Sequence, residues 1–126
     1  HRAFDMARDP ARALEDVIAA GCRRLLSSGQ APAAPQGAAL LRALREQAGA
    51  RLAVMPGAGV RADNIAALRR QTGCLEFHAS ARAAAASGMR HRQSGLSMGA
   101  PGADEYARQE TSAQLVRELA RQAAQA

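Results

Sequence analysis

Amphipathic helical stretches alternate with short apolar strands along this chain, and one glycine separates each helix from the strand that follows. The pattern occurs three times, with its glycines at Gly21, Gly49 and Gly73. Glycine suits the position after a helix because it adopts a left-handed conformation without a Cβ penalty. Since these glycines lie about one strand-plus-helix unit apart, the pattern predicts a series of βα units.

The periodicity also predicts where the elements begin and end. Asp9 suits an N-cap and Pro10 a first helical position, so a helix begins at this pair. Further helices are predicted over 38–48, 63–72 and 111–124, and strands over 23–28, 52–55 and 75–80. We expect residues 1–8 to form a strand end and a loop. Residues 81–102 are expected to form a long irregular loop with at most short helical turns.

These units predict an α/β fold in which parallel strands in sequential order are joined by right-handed helical crossovers. A TIM (β/α)8 barrel has this order of elements but takes about 250 residues, whereas this chain has 126. We therefore expect residues 1–126 to be a single partial domain, the C-terminal part of a TIM barrel whose N-terminal half is absent. Because such a unit leaves two strand edges unpaired, we expect a homo-oligomer.

Composition and charge indicate whether the protein binds nucleic acid or a membrane. The formal net charge is +6, and every basic residue is arginine. These arginines are scattered over the polar faces of helices, and only 2% of residues are aromatic. Because base stacking needs aromatic side chains, we expect no nucleic-acid partner. No apolar run approaches the length of a membrane span, so we expect no membrane partner.

The sequence has two cysteines and four methionines. Cys22 and Cys74 each follow a helix-ending glycine and so begin a strand, at the opposite end from a barrel's functional face. Their spacing indicates neither a disulfide framework nor a metal site, which fits a reduced, cytoplasmic protein. Copper would require soft donors such as Cys, Met and His, but the methionines have no spacing typical of a metal site. Spacing alone therefore assigns no metal ligand.

Polar residues gather where the predicted strands end, the edge at which barrels place their sites. The residues predicted to line a cavity or bind an anion there are His1, Arg2, Asp5, Ser28, Gly57, Gly59, His78 and Ser80. Gly57 and Gly59 follow a strand and precede a helix, so their loop either cradles an anion or only makes a tight turn. Arg2 and Asp5 either face the cavity or form a structural ion pair.

His78 is the candidate catalytic residue. Polar and apolar residues alternate over 75–80, which predicts two faces for this strand. The set predicted to point into the barrel is Glu76, His78 and Ser80, and the set predicted to pack on helices is Leu75, Phe77 and Ala79. His78 could act as an acid or base, a ligand or an anion donor, or it could be a structural histidine. These features favour an enzyme or binding protein for a small phosphorylated or carboxylated metabolite.

Five blocks of sequence together resemble the C-terminal half of the CutC family. They are HRAFDM (1–6), SGQ (28–30), GAGVR (57–61), EFHAS (76–80), and MRHR (89–92) with GLSM (95–98). The resemblance implies a TIM barrel, a cytoplasmic homo-oligomer, and a role in copper homeostasis with copper binding. It also implies that the cysteines proposed as copper ligands lie in N-terminal strands missing from this chain. The metal site is therefore expected to be incomplete here.

Overall fold

The computed structural model describes residues 1–93, 95–96, 98–100 and 104–125. Within these ranges the helices are α1 (Pro10–Ala19), α2 (Ala38–Ala48), α3 (Ile65–Thr72) and α4 (Ala113–Ala124). The strands are β1 (Arg24–Ser27), β2 (Ala53–Pro56), β3 (Arg82–Ala85) and β4 (Arg108–Thr111). Residues 94, 97, 101 and 102, which belong to the predicted loop or to the last resemblance block, lie outside the described residues.

Local signals in the sequence account for two of the predicted helix ends. The Asp9 carboxylate accepts a hydrogen bond from the N–H of Arg12 at 3.1 Å, and Pro10 is the first residue of α1, as predicted. Gly73 follows α3 in the left-handed conformation, with φ 70° and ψ 8°. The prediction of a glycine turn after this helix is therefore confirmed.

Two helices begin two residues later than predicted. The side chain of Asn64 accepts a hydrogen bond from the N–H of Arg61 at 2.9 Å, which forms a turn before α3. The hydroxyl of Ser112 accepts from the N–H of Leu115 at 3.4 Å and caps α4. Thr111, predicted to begin this last helix, instead ends β4.

Strands β1 and β2 lie side by side and run parallel, with Leu25 opposite Val54. Helix α2 connects them, so the predicted α/β organisation with parallel strands and helical crossovers is confirmed for this pair. Leu25 and Val54 are both buried in the core that the helices share with the sheet. The largest buried apolar side chains of this core include Leu14, Leu41, Leu44 and Leu68.

The N-terminal residues form a 3₁₀ turn, Ala3–Met6, where a strand end was predicted. The N–H of Asp5 donates to the carbonyl of Arg2, and the N–H of Ala7 donates to the carbonyl of Phe4, each at 3.0 Å. This part of the prediction was wrong because the turn packs Phe4 against the core. The same turn brings the Asp5 carboxylate to the end of β1.

The strand predicted over 75–80 does not form, because these residues lie beside β2 without a regular ladder to it; we call them the extended segment. The N–H of His78 donates to the carbonyl of Pro56 in that strand, at 2.9 Å. Phe77 packs against the core as predicted. Leu75, predicted to pack on helices, is instead 77% exposed. The groove between this segment and α4 stays open at Leu75, so the leucine is not covered.

Strands β3 and β4 form an antiparallel pair, with Ala83 opposite Glu110. The prediction of an irregular segment over 81–102 was therefore wrong for Arg82–Ala85. An alanine run shows no alternation of apolar and polar residues, so nothing in the sequence indicated a strand. Ala81, which has a left-handed backbone with φ 46°, leads the chain into this pair.

Within the described ranges, no helix is long and apolar enough to cross a bilayer. The two sheets of the described residues each have two strands, β1 with β2 and β3 with β4. That residues 1–126 are one partial domain of a larger barrel stays a prediction.

Gly37 lies against the loop that follows β1. A Cβ atom added at Gly37 would lie 1.9 Å from the carbonyl oxygen of Ser28. We predict that Gly37→Ala lowers the free energy of unfolding by about 1–3 kcal/mol, because two backbone segments must separate. Urea denaturation measures this change. The control is Gly88→Ala, where no atom lies within 4 Å of the added carbon. Equal stability of the two variants would contradict the close approach.

Candidate functional site

A cavity of about 440 Å³ opens where β1, β2 and the extended segment 75–80 end. We call it the rim cavity. Its lining residues are Arg2, Leu26, Ala58, Gly59, Val60, Arg61, His78, Ala79 and Ser80. Parallel strands place their carboxyl ends at the same edge, so residues far apart in sequence meet there. Four of the predicted site residues are among them: Arg2, Gly59, His78 and Ser80.

Asp5 lies beside the rim cavity and holds the loop that follows β1. Its carboxylate accepts hydrogen bonds from the hydroxyl of Ser27 at 2.6 Å and from the hydroxyl and N–H of Ser28 at 2.9 and 3.0 Å. It also accepts from the N–H of Gln30 at 3.2 Å. Both serines are fully buried. The carboxylate therefore supplies acceptors to polar groups that water does not reach.

These hydrogen bonds also decide the charge of Asp5. Burial disfavours the charged form and by itself raises the pKa of the carboxyl group. Hydrogen bonds from Ser27, Ser28 and Gln30 act in the opposite direction and together outweigh burial. The pKa of Asp5 consequently lies below its ordinary value of 3.8, and the group is ionised at neutral pH.

Arg2 connects the Asp5 network to the rim cavity. Its guanidinium donates to the hydroxyl of Ser28 at 2.7 Å and lies 3.8 Å from the Asp5 carboxylate. Arg2 thus combines the ion pair and the cavity position that the sequence left as alternatives. His1 does not line the rim cavity; its Nδ1 accepts a hydrogen bond from the N–H of Ala3 at 3.2 Å.

The loop after β2 supplies backbone to the rim cavity. Ala58 and Gly59 lie in the left-handed region, with φ 73° and 68°. In the described part of the chain, no acceptor contacts the N–H of either residue. Gly57 has a different role, because its N–H donates to the carbonyl of Ser27 at 2.9 Å. A Cβ at Gly57 would lie 2.4 Å from Leu26 Cδ1, so this glycine permits close packing.

His78 lines the rim cavity with its imidazole free of any hydrogen bond to the described residues. If His78 were a structural histidine, Glu76 could hold its imidazole. Glu76 instead forms a bidentate ion pair with Arg24, at 2.6 and 3.1 Å. Arg24 lies in β1 and Glu76 in the extended segment, so this ion pair crosses over β2, which lies between them. The imidazole is therefore available to a ligand of the cavity.

Two residues at this edge were not predicted as site residues. Gln30 has a left-handed backbone with φ 56°, and its side-chain amide donates to the carbonyl of Ala7. Arg61 lines the rim cavity and forms an ion pair with Asp63 at 3.2 Å. Both residues belong to blocks on which the family resemblance depends. That membership was the signal that could have identified them.

The two thiols lie apart from the rim cavity. Cys22 is exposed, Cys74 is buried, and both are free thiols. Burial raises the pKa of the Cys74 thiol, although a hydrogen bond with Thr72 and the charge of Arg45 act in the opposite direction. Over the residues that the structure describes, no group of three His, Cys, Asp or Glu side chains could hold a metal ion. These donors do not fit a complete copper site.

Comparison with known proteins identifies relatives of this chain. The sequence model of the CutC family matches residues 1–83. A CutC family protein of Chromobacterium violaceum is 71% identical over 119 residues, which cover 94% of this chain and 48% of that protein. A CutC family protein of Bacteroides thetaiotaomicron is 47% identical over 117 residues, which cover 92% and 47%. The chain therefore spans about half the length of these relatives.

A solved structure from Streptococcus agalactiae gives an independent comparison. That chain is a CutC protein with a provisional assignment to copper homeostasis. It matches this one with a TM-score of 0.58 and 29% identity, and the match covers 62% of this chain and 39% of the solved one.

The parallel strands, their helical crossover and the polar cavity at the strand ends define a protein of the α/β class. Within that class, the chain belongs to the CutC family.

The lowered pKa of Asp5 predicts how stability depends on pH. Because the folded pKa is below the unfolded one, the ionised carboxylate stabilises the fold at neutral pH. This contribution is lost as pH falls through the folded pKa. We predict that Asp5→Asn lowers the free energy of unfolding by about 1–3 kcal/mol at neutral pH, since an amide group replaces one of the two acceptor oxygens and the charge is lost. The difference from wild type shrinks as pH falls below the ordinary value of 3.8 and through the lower folded pKa of Asp5.

Urea denaturation of both proteins at each pH measures this difference. Glu15, whose pKa is lowered to about 2 by its hydrogen bonds from Arg51 and Gln47, titrates in both proteins and cancels. A difference that stays constant across the acid range would show that the charge of Asp5 does not stabilise the fold.

Proposed function

We propose that this chain acts in copper homeostasis as a CutC protein, with copper as its cargo and with a copper site that its own residues do not complete. Membership of the CutC family carries this proposal. The separation of the thiols from the rim cavity and the lack of a donor cluster in the described ranges support the incomplete site.

The proposal extends to the complete fold, the cellular compartment and the assembly of the protein. We place the βα unit within a TIM barrel, because its parallel strands and strand-end cavity have the barrel arrangement. We place it in the cytoplasm, since both cysteines are free. Self-association is also proposed, because β1 pairs only with β2 among the described strands and leaves its other edge unpaired.

Copper(I) titration tests the incomplete site. We predict that this chain binds copper(I) at least about tenfold more weakly than the whole CutC protein of Chromobacterium violaceum. Removing a contact that supports a metal ligand lowers metal affinity about tenfold or more, and removing a ligand should cost at least as much. Cys22→Ser with Cys74→Ser should leave the affinity of this chain unchanged. Equal affinity in the two proteins, abolished by the double substitution, would show that these cysteines are the ligands.

The rim cavity favours a second candidate function, the binding or conversion of a small phosphorylated or carboxylated metabolite. Its lining has two arginines and a histidine, and none of the described residues that line it is a carboxylate. A volume of about 440 Å³ is in the range of small-molecule sites. Arg2 would pair with the anion, the loop of Gly57 and Gly59 would lie against it, and His78 would be the acid or base.

Binding of inorganic phosphate tests this second function. We predict that Arg2→Ala and His78→Ala each weaken phosphate binding about tenfold or more, since each removes a hydrogen bond to a charged group. Isothermal titration calorimetry measures the affinity. Arg42→Ala is the matched control, because Arg42 lies on α2, pairs with Glu46 and does not line the rim cavity. Equal weakening by all three substitutions would point to general charge attraction and contradict a site.

A further inference from the structure

Arg2 differs from other paired arginines of the sheet and its helices in how its guanidinium is used. Arg24 and Arg51 each give two hydrogen bonds to one carboxylate, Glu76 and Glu15 respectively, at 2.6 to 3.1 Å. Arg2 instead lies 3.8 Å from its nearest carboxylate, which is too long for a hydrogen bond. Its pairing therefore leaves most of its five N–H donors unused.

One hydrogen bond nevertheless fixes where Arg2 lies. Its Nη1 donates to the hydroxyl of Ser28 at 2.7 Å. That hydroxyl is fully buried and lies within hydrogen-bond distance of two acceptors, the Asp5 carboxylate at 2.9 Å and the Ala31 carbonyl at 2.6 Å. The hydroxyl has one proton, and the ionised carboxylate is the stronger acceptor for it. A lone pair of the hydroxyl oxygen remains for Arg2.

Asp5 is itself held by several hydrogen bonds. Donors from Ser27, Ser28 and Gln30 surround the carboxylate, whose side chain is only 10% exposed. Arg2, by contrast, is 40% exposed and lines the rim cavity. A largely buried acceptor thus supports the longer side chain of Arg2 at the cavity surface.

We propose that Asp5 is a positioning residue that acts through the Ser28 hydroxyl to hold the Arg2 guanidinium at the rim cavity, preorganised for an anionic ligand. The proposal rests on the anion-binding function proposed above. Ordering a long side chain before binding removes part of the entropy cost of binding. Loss of this support should lower the affinity for an anion about threefold to tenfold.

A double-mutant cycle with inorganic phosphate tests the coupling. In the protein that has Arg2, Ser28→Ala should lower the affinity for phosphate about threefold to tenfold. In an Arg2→Ala background it should lower that affinity by less than about twofold. Equal effects in the two backgrounds, or no effect in either, would overturn the proposal. Should Ser28→Ala fail to fold, Ser28→Cys replaces it, because a thiol has similar size but is a weak acceptor.

Nitrogen-15 relaxation of the Arg2 Nε without ligand gives a readout that does not depend on phosphate. We expect an ordered guanidinium in wild type and a mobile one in Ser28→Ala and Asp5→Asn. Ser80→Ala is the control for this measurement, since Ser80 lines the same cavity and makes no hydrogen bond to Arg2. Unchanged order in the Asp5 and Ser28 variants overturns the proposal.

The two readouts separate the two ideas. If wild type binds no phosphate but Arg2 loses order in Ser28→Ala and Asp5→Asn, the anion-binding function fails and the positioning role of Asp5 stands. If phosphate binds and Arg2 keeps its order in both variants, the anion site stands and the positioning role fails.

Discussion

The Asp5 carboxylate ties the N-terminal turn to the end of β1 and to the loop that follows it. The 3₁₀ turn that carries Asp5 precedes α1, whereas Ser27 ends β1 and Ser28 and Gln30 follow that strand. Since Ser27 and Ser28 are fully buried, their polar groups need a partner within the protein. One ionised side chain provides it and at the same time sets the edge of the rim cavity. The packing of the first βα unit and the shape of its cavity therefore depend on a shared interaction.

Periodicity along the chain was enough to predict the parts of the fold that local interactions determine. Helix α2 has the predicted bounds of 38–48, and β1 and β2 pair in parallel as expected. The antiparallel pair β3 and β4 could not be predicted, because an alanine strand is defined by its partner rather than by its own pattern. The packing of Phe4 against the core likewise favours a turn over a strand. Tertiary packing overrode local preference at both places.

The candidate site shows the same division. Gly59, His78 and Ser80 could be placed at one edge from the order of the elements, because parallel strands share one carboxyl edge. Arg2 also lines the cavity, although it precedes a 3₁₀ turn where a strand end was predicted. Which of several polar neighbours each residue would contact depended on side-chain geometry. Glu76 could have paired with His78, but it pairs with Arg24 across the sheet. Family membership supports the proposed role in copper homeostasis, and the lining of the rim cavity supports the second proposed function, the binding of an anion.

The backbone at the strand ends has a consequence for protein engineering. Gln30, Ala58 and Ala81 follow β1, β2 and the extended segment in turn, and all three are non-glycine residues with left-handed φ angles. Such a conformation costs roughly 1–2 kcal/mol per residue. The unit therefore carries stored strain at its cavity edge rather than in its leucine core. Glycine at these positions would relieve the strain and also make the backbone at the cavity edge more flexible. A substitution that raises thermal stability there would therefore leave the shape of the cavity less fixed.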